Sequence, residues 1–281
     1  MDRDRILGTT LETNNDPSPN YELSTQDERL LCEQLIEQNP DIAGQMFACF
    51  VFQEDSTFAN LGRSKEAAIF NDTFANDVNT MKQEYGPYES SSIFFVTIDP
   101  INKKVVGVLR AIENSDTGLK TLNDIEQPPL KISPQEFMEF HSVDDLNKCW
   151  DIGTVAVDKD YRGKTTGYIA SALLYRSLFL EANNKGIEHF IAIVDKSAFK
   201  SLKMVGMPFV PILNSEPYSY LGSEESTAVY GLVASGPVEM QKLIDKLDQE
   251  FLENGDVKKQ QLSALIDEII HGSNIDQFIV K

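Results

Sequence analysis

Apolar runs and helically spaced apolar residues alternate along this chain. Gln45 to Phe52 (QMFACFVF) predicts a buried strand. Lys65 to Tyr85 predicts a helix, with Ala68, Ile69, Phe74, Val78 and Met81 largely on one face. Ser91 to Ile98 (SSIFFVTI) and Lys104 to Ile112 read as two strands, joined by a turn at Asp99, Pro100 and Asn102. Residues 152 to 157 (IGTVAV) form a short β-branched strand, Asp158 to Gly163 supply turn chemistry, and Tyr168 to Leu180 is again helical. Beyond them, 188 to 195 reads as a strand, 196 to 204 as a short helix, 205 to 212 as the Gly/Pro-marked start of another strand and 227 to 234 as a last one. Strands therefore alternate with helices in an α/β (α+β) chain.

Two flanks differ from this pattern. Residues 1 to 25 are rich in Asn, Asp, Ser, Thr and Pro, and are expected to be disordered or loosely attached. Ser24 to Gln38 reads as a helix, with Ser24 as N-cap and Asp27 three residues on. At the other end, Pro237 to Glu253 and Val257 to His271 carry apolar residues at helical spacing and are broken at Asn254 and Gly255. We expect three parts: a loose segment 1–25, a core domain 26–235 and a helical hairpin extension 236–281. The hairpin could pack on the core, cover a partner's site or make a homodimer through its helices.

The richest chemistry lies between Trp150 and Gly167 (WDIGTVAVDKDYRGKTTG), where a strand meets a helix through a turn containing Arg162, Gly163, Lys164, Thr165, Thr166 and Gly167. The first N–H groups of a helix lack intrahelical partners and carry the positive end of its dipole, so such a turn suits a phosphate. Glycines admit close approach, Arg162 and Lys164 add charge, and the two threonines add hydroxyl donors. The same residue types also serve an ordinary capped surface helix. A nucleotide-triphosphatase P-loop needs a glycine five residues before Gly-Lys-Thr, and Asp158 stands there instead.

Arg162 to Gly167 resembles the pyrophosphate loop of the GNAT superfamily of acyltransferases, Arg/Gln-x-x-Gly-x-Gly/Ala, with Thr165 in place of its first glycine. VAVDKDYRGK resembles that superfamily's fourth strand running into its coenzyme loop, and the chain beyond keeps the family's order. EYGPYESSSIFFVTID, VVGVLRAIENSDTGLKTLNDI and GMPFVPI followed by YLG are similar, over roughly residues 60 to 234, to N-acyl amino acid synthases and acyl-homoserine-lactone synthases. The resemblance implies a mixed, mostly antiparallel central sheet flanked by helices. It also implies a strand that splays from the fourth, and a thioester donor lying between the two.

Composition narrows the alternatives. The chain has 281 residues, 41% of them hydrophobic, enough for one large domain with appendages or two small ones. Its longest apolar run, near Met46 to Phe52, is far below the roughly 18 residues that span a bilayer, and the polar N-terminus lacks a signal-peptide pattern, so a cytoplasmic location is expected. A net charge of −19 argues against nucleic acid and anionic membranes. Between Lys159 and Lys203, however, eight bases stand against four acids. That local excess suits a polyanionic ligand such as a coenzyme or a carrier's phosphopantetheine arm, or a solvated helix face. Cys32, Cys49 and Cys149 are scattered and read as reduced structural thiols, and the spacing of His141, His189 and His271 predicts no metal.

Acylation of an amine needs a base, a donor for the developing oxyanion and a proton for the departing thiolate. The resemblance implies that backbone N–H groups around Val155 and Val157 receive the thioester and that Arg162 to Gly167 hold the coenzyme. It also points to Asp151 as base or amine ligand and to Tyr218 and Tyr220 as candidate thiolate protonators. Glu113, at the end of its strand, and Arg110 three residues earlier are candidates for facing the acceptor. The expected activity is N-acyl transfer from acetyl-CoA or a longer acyl-CoA to an amino acid or small amine. The alternatives are a synthase fed by an acyl carrier protein and a non-catalytic acyl-CoA sensor or scaffold.

Overall fold

The structure, a computed structural model, describes residues 18–162 and 165–271. Strands β1 (Ala48–Gln53), β2 (Ser92–Asp99), β3 (Lys104–Glu113) and β4 (Cys149–Val157) are joined edge to edge, each antiparallel to the last. β4 then pairs in parallel with β5 (His189–Asp195), and β5 lies antiparallel to β8 (Ser223–Leu232). The short strands β6 (Val210–Pro211) and β7 (Tyr218–Tyr220) also pair with β8. A parallel pair needs a crossover, which helix α6 (Thr165–Asn184) supplies.

Both faces of this sheet are covered. β2 is buried along its whole length, so its apolar run is continuous rather than alternating. Phe95, Val106 and Leu109 face α6, with Leu173, Leu174 and Leu178. Phe94, Val96 and Val108 point the other way, toward Leu31 and Leu35 of α1 (Thr25–Gln38) and Ala59 and Leu61 of α2 (Ala59–Phe74). Ser24 caps α1 as the sequence predicts, its side chain accepting from the Asp27 N–H.

Several expectations are corrected. The helix expected over 65 to 85 is two: α2 ends where Ala75 turns left-handed (φ 58°), and α3 (Val78–Tyr85) begins after the Asp77 cap, which accepts from the Thr80 N–H. Between β3 and β4 lie α4 (Lys120–Ile125) and α5 (Pro134–His141), neither of which the apolar pattern predicts. The signal for α5 is present in the chain as a Ser133/Glu136 capping box with Pro134 in the first turn. Of 205 to 212, only Val210–Pro211 pairs as strand. Of the segment 1–25, residues 1–17 lie outside the described residues, whereas the part from Asn20 to Leu23 is held. Tyr21 is buried with its hydroxyl on Glu89, and the Asn20 and Leu23 N–H groups donate to Asn60 and Ser64.

The tail forms the expected hairpin, α8 (Ser235–Asn254) and α9 (Val257–Ile270), with Gly255 left-handed at the break. Its apolar faces pack on the chain's own core: Met240, Ile244, Leu247, Ile266 and Ile269 join the cluster around α6. Buried Arg176 of α6 donates to the Ile270 carbonyl at 3.0 Å, satisfying the end of α9. No helix among the described residues is long and apolar enough to cross a membrane.

Candidate active site

β4 and β5 separate almost as soon as they meet. Only Cys149, Trp150 and Asp151 pair with His189, Phe190 and Ile191; beyond them β4 runs on to Val157 and β5 to Asp195 without a partner between them. The cause lies in β4 itself. Its register with β3 shifts between Arg110 and Ala111, so Gly153 is an extra residue, and a bulge bends the strand that carries it. A side chain there would meet the Tyr85 ring, its Cβ 2.9 Å from Cε1, and the Tyr85 hydroxyl donates to the Gly153 carbonyl at 2.7 Å.

The gap between the strands is a cleft of about 410 Å³. One wall, on the α6 side, is apolar: Leu178, Phe190, Ala192, Leu202, Met207 and Phe209, with Leu202 coming from α7 (Lys196–Met204). From the other face, α2 contributes Ile69, Phe70 and Phe74, and Tyr85 and Tyr220 line the cleft beside them.

One edge of the cleft is the backbone of β4, which past Asp151 pairs with no strand on that side among the described residues. The Asp158 N–H donates to Val106 of β3 at 2.8 Å, so strand alternation turns the N–H groups of Val155 and Val157 away from β3, toward the opening. The Val157 carbonyl points the same way and accepts from Arg162 Nε at 2.6 Å. This bond fixes the turn in which β4 ends, while the rest of the Arg162 side chain is exposed. Gly167 lies in the first turn of α6, and a Cβ on it would fall 2.4 Å from the Tyr161 carbonyl oxygen, so this close crossing admits only glycine. Gly163 and Lys164 lie outside the described residues; Thr165 and Thr166 open α6.

The other predicted residues are placed as follows. Asp151 is buried (1% exposed), and its carboxylate accepts from the N–H and, at 2.8 Å, the hydroxyl of Thr121. It thereby caps α4, whose own N-cap position, Leu119, has no side chain able to do so. Burial pushes the Asp151 carboxyl up to about 7, against the pull of the Thr121 hydrogen bonds and of Lys120. Tyr220 lines the cleft, donates to Asp124 at 2.5 Å and accepts from Lys120 at 2.7 Å, and burial holds its hydroxyl far above the ordinary tyrosine range. Tyr218 stands edge-on to Tyr220, off the cleft wall, with its hydroxyl buried and unbonded among the described residues. Glu113 is directed to Lys185, at 2.8 Å. Arg110 is fully buried and ion-paired to Glu66 at 2.6 Å and Glu89 at 2.9 Å, and so holds α2 to the sheet.

Sequence reading missed Lys120, Glu66 and Thr154. Lys120, 3% exposed, joins Glu84 at 2.8 Å and Asp124 at 2.7 Å behind the Tyr220 ring. The Thr154 hydroxyl donates to Glu66 and ties the bulged part of β4 to the buried ion network. No local motif marks these residues, because their partners come from distant elements. The local excess of base is also reduced: Lys159 pairs with Asp72 at 2.7 Å, Lys185 with Glu113 at 2.8 Å and Lys196 with Glu225 at 2.6 Å.

A central sheet parted between its parallel strands, with a glycine-dependent turn at the open end of β4, defines the class: the chain has the GNAT fold. No protein-family model matches the chain, and no curated protein matches it in sequence. Among solved structures it is similar to FeeM, an N-acyl amino acid synthase from uncultured soil microbes, with TM-score 0.50 and 14% identity over 69% of this chain and 94% of that one. It is also similar to BjaI, a CoA-dependent acyl-homoserine lactone synthase, with TM-score 0.44 and 11% identity over 83% of this chain and 92% of that one. A third likeness is to MesI, another CoA-dependent acyl-homoserine lactone synthase, with TM-score 0.42 and 12% identity over 69% and 91% of the two chains. At these identities the likeness is one of fold.

Proposed function

We propose that this protein is an N-acyltransferase that moves an acyl group from an acyl-CoA to the amine of an amino acid or small amine. The observation that carries the reading is the cleft between β4 and β5, with bare N–H groups along one edge and an apolar wall beyond. In this reading the Val155 and Val157 N–H groups hold the pantetheine and the thioester, since an extended amide chain pairs with an open strand edge as another strand would. The turn from Arg162 to Gly167 receives the pyrophosphate at the start of α6, and the acyl chain lies along Leu178, Phe190, Met207 and Phe209.

The acceptor amine attacks the thioester carbonyl from the α2 face; the C–N bond forms, the C–S bond breaks, and the amine proton and the thiolate must each be served. Tyr220 is the hydroxyl best placed to take part, because it lines the cleft and is coupled to Asp124 and Lys120. Asp151 acts one step back in this scheme, by fixing the helix that carries Lys120 and Asp124. The likeness in fold to FeeM, an N-acyl amino acid synthase, supports a free amino acid among the acceptors to be tried first.

The test follows thiol release from acetyl-, octanoyl- and palmitoyl-CoA with a panel of amino acids and small amines, alongside calorimetric binding of each thioester. Turnover with one donor is expected, and Arg162→Ala/Lys164→Ala should weaken thioester binding at least tenfold, about 1.4 kcal/mol, without unfolding the chain. Binding without turnover would replace the enzyme with a sensor, turnover with an acyl carrier protein alone would change the donor, and no binding of any thioester would end the reading.

A further inference from the structure

At the closed end of the cleft, where β4 and β5 still pair, lies a second cluster that the reaction does not use. One ligand atom from each of Asp144, Glu188 and His189 falls within 4.8 Å of the other two. Among the described residues this is the one such group of three. Asp144 precedes β4, while Glu188 and His189 open β5, and the parallel register that sets Cys149 opposite His189 brings them together.

The His189 ring is 5% exposed and held in place. Its Nδ1 is bonded to the Tyr230 hydroxyl at 3.0 Å, which leaves Nε2, with no hydrogen bond among the described residues, standing 3.9 Å from Glu188 Oε2. A histidine anchored through one ring nitrogen, with the other aimed at carboxylates, is the arrangement that orients imidazole as a metal ligand. Lys148 binds the outer oxygen of Glu188 at 2.7 Å and leaves Oε2 facing the ring, and Asp144 has no hydrogen bond among the described residues.

We propose that Asp144, Glu188 and His189 bind a zinc ion, which clamps the segment before β4 to the first residues of β5. One imidazole and two carboxylates suit a borderline divalent cation better than calcium or magnesium, which favour all-oxygen shells. Water would complete the tetrahedron on the exposed side. The ion would hold shut the end of the sheet from which the cleft opens.

The experiment compares thermal melting and calorimetric titration of the metal-free full-length protein with zinc chloride, calcium chloride and magnesium chloride. Zinc well above its Kd should raise Tm by about 3 °C or more in a chain of this size, with calcium and magnesium at the same concentration giving no such rise. His189→Gln should abolish the zinc effect. Because His189 is buried and its substitution also perturbs the core, Asp144→Asn, at an exposed position, is the second arm; it should leave the zinc-free Tm unchanged and weaken zinc binding at least tenfold. Absence of a zinc-dependent shift in the wild type, or an equal shift and affinity in Asp144→Asn, would overturn the proposal.

Discussion

Asp151 shows how burial assigns work to a single residue. In the sequence it is an acid at the head of a strand; in the structure both its oxygens face Thr121 and water is excluded. Its carboxyl is raised to about 7, so the folded state holds this proton more tightly than the unfolded chain does. The stability it contributes is complete below about pH 4 and is lost as pH rises through 7. Asp151→Asn mimics the protonated form, so its Tm relative to wild type should climb from pH 5 to pH 8 by several degrees, at about 2–4 °C per kcal/mol. A difference that stays constant over that range, measured by scanning fluorimetry, would show that Asp151 is not the titrating group. Nothing local announces this role, because the Thr121 partner comes from α4, an element the apolar pattern leaves out.

At the scale of elements, the C-terminal hairpin separates the two kinds of information. Its helices are legible in the spacing of Val238, Leu243, Leu247 and Phe251 and of Leu262, Leu265, Ile266 and Ile269, and the Asn254–Gly255 break falls where it is expected. What that apolar face covers is decided by α6, which offers Phe179 and Leu178 to it and caps its end with Arg176. Five buried aliphatic side chains at about 1.5–3 kcal/mol each match the whole stability of an ordinary domain. Deleting residues 236–281 should therefore give an insoluble or molten chain by circular dichroism and solubility, and a soluble truncated protein melting at the wild-type temperature would contradict this. The single helix expected over 65 to 85 errs for a related reason: its apolar face continues through the break, but the left-handed Ala75 ends one helix and the Asp77 cap starts another.

For the molecule as a whole, the cleft is the product of the sheet. Apolar residues of α6, β5, α7 and the segment before β6 converge on it only because β4 and β5 diverge. If the acyl chain lies there, each added methylene should tighten acyl-CoA binding about fourfold, from about 0.8 kcal/mol per buried CH₂, until the wall is filled. Ala192→Phe places a ring in the cleft and should shorten the chain length at which affinity levels off, leaving acetyl-CoA binding intact. A titration series with no dependence on chain length would put the acyl group elsewhere.

Much of the fold follows from periodicity. Continuous β-branched and aromatic runs wrote β2, β3, β4, β5 and most of β8, and turn and cap residues marked the β2–β3 hairpin and the junction of β4 with α6, because these depend on near neighbours. The resemblance of Arg162–Gly167 to a coenzyme loop is likewise a local property, and the steric demand on Gly167 agrees with a tight crossing there. Tertiary structure alone decided the bulge at Gly153, the parting of β4 from β5, the capping of α4 by Asp151, the Glu66–Arg110–Glu89 network and the meeting of Asp144 with His189. Each of these joins residues far apart along the chain. Backbone hydrogen bonding, burial and charge pairing between distant elements are set by how the sheet closes, and no window of sequence contains both partners.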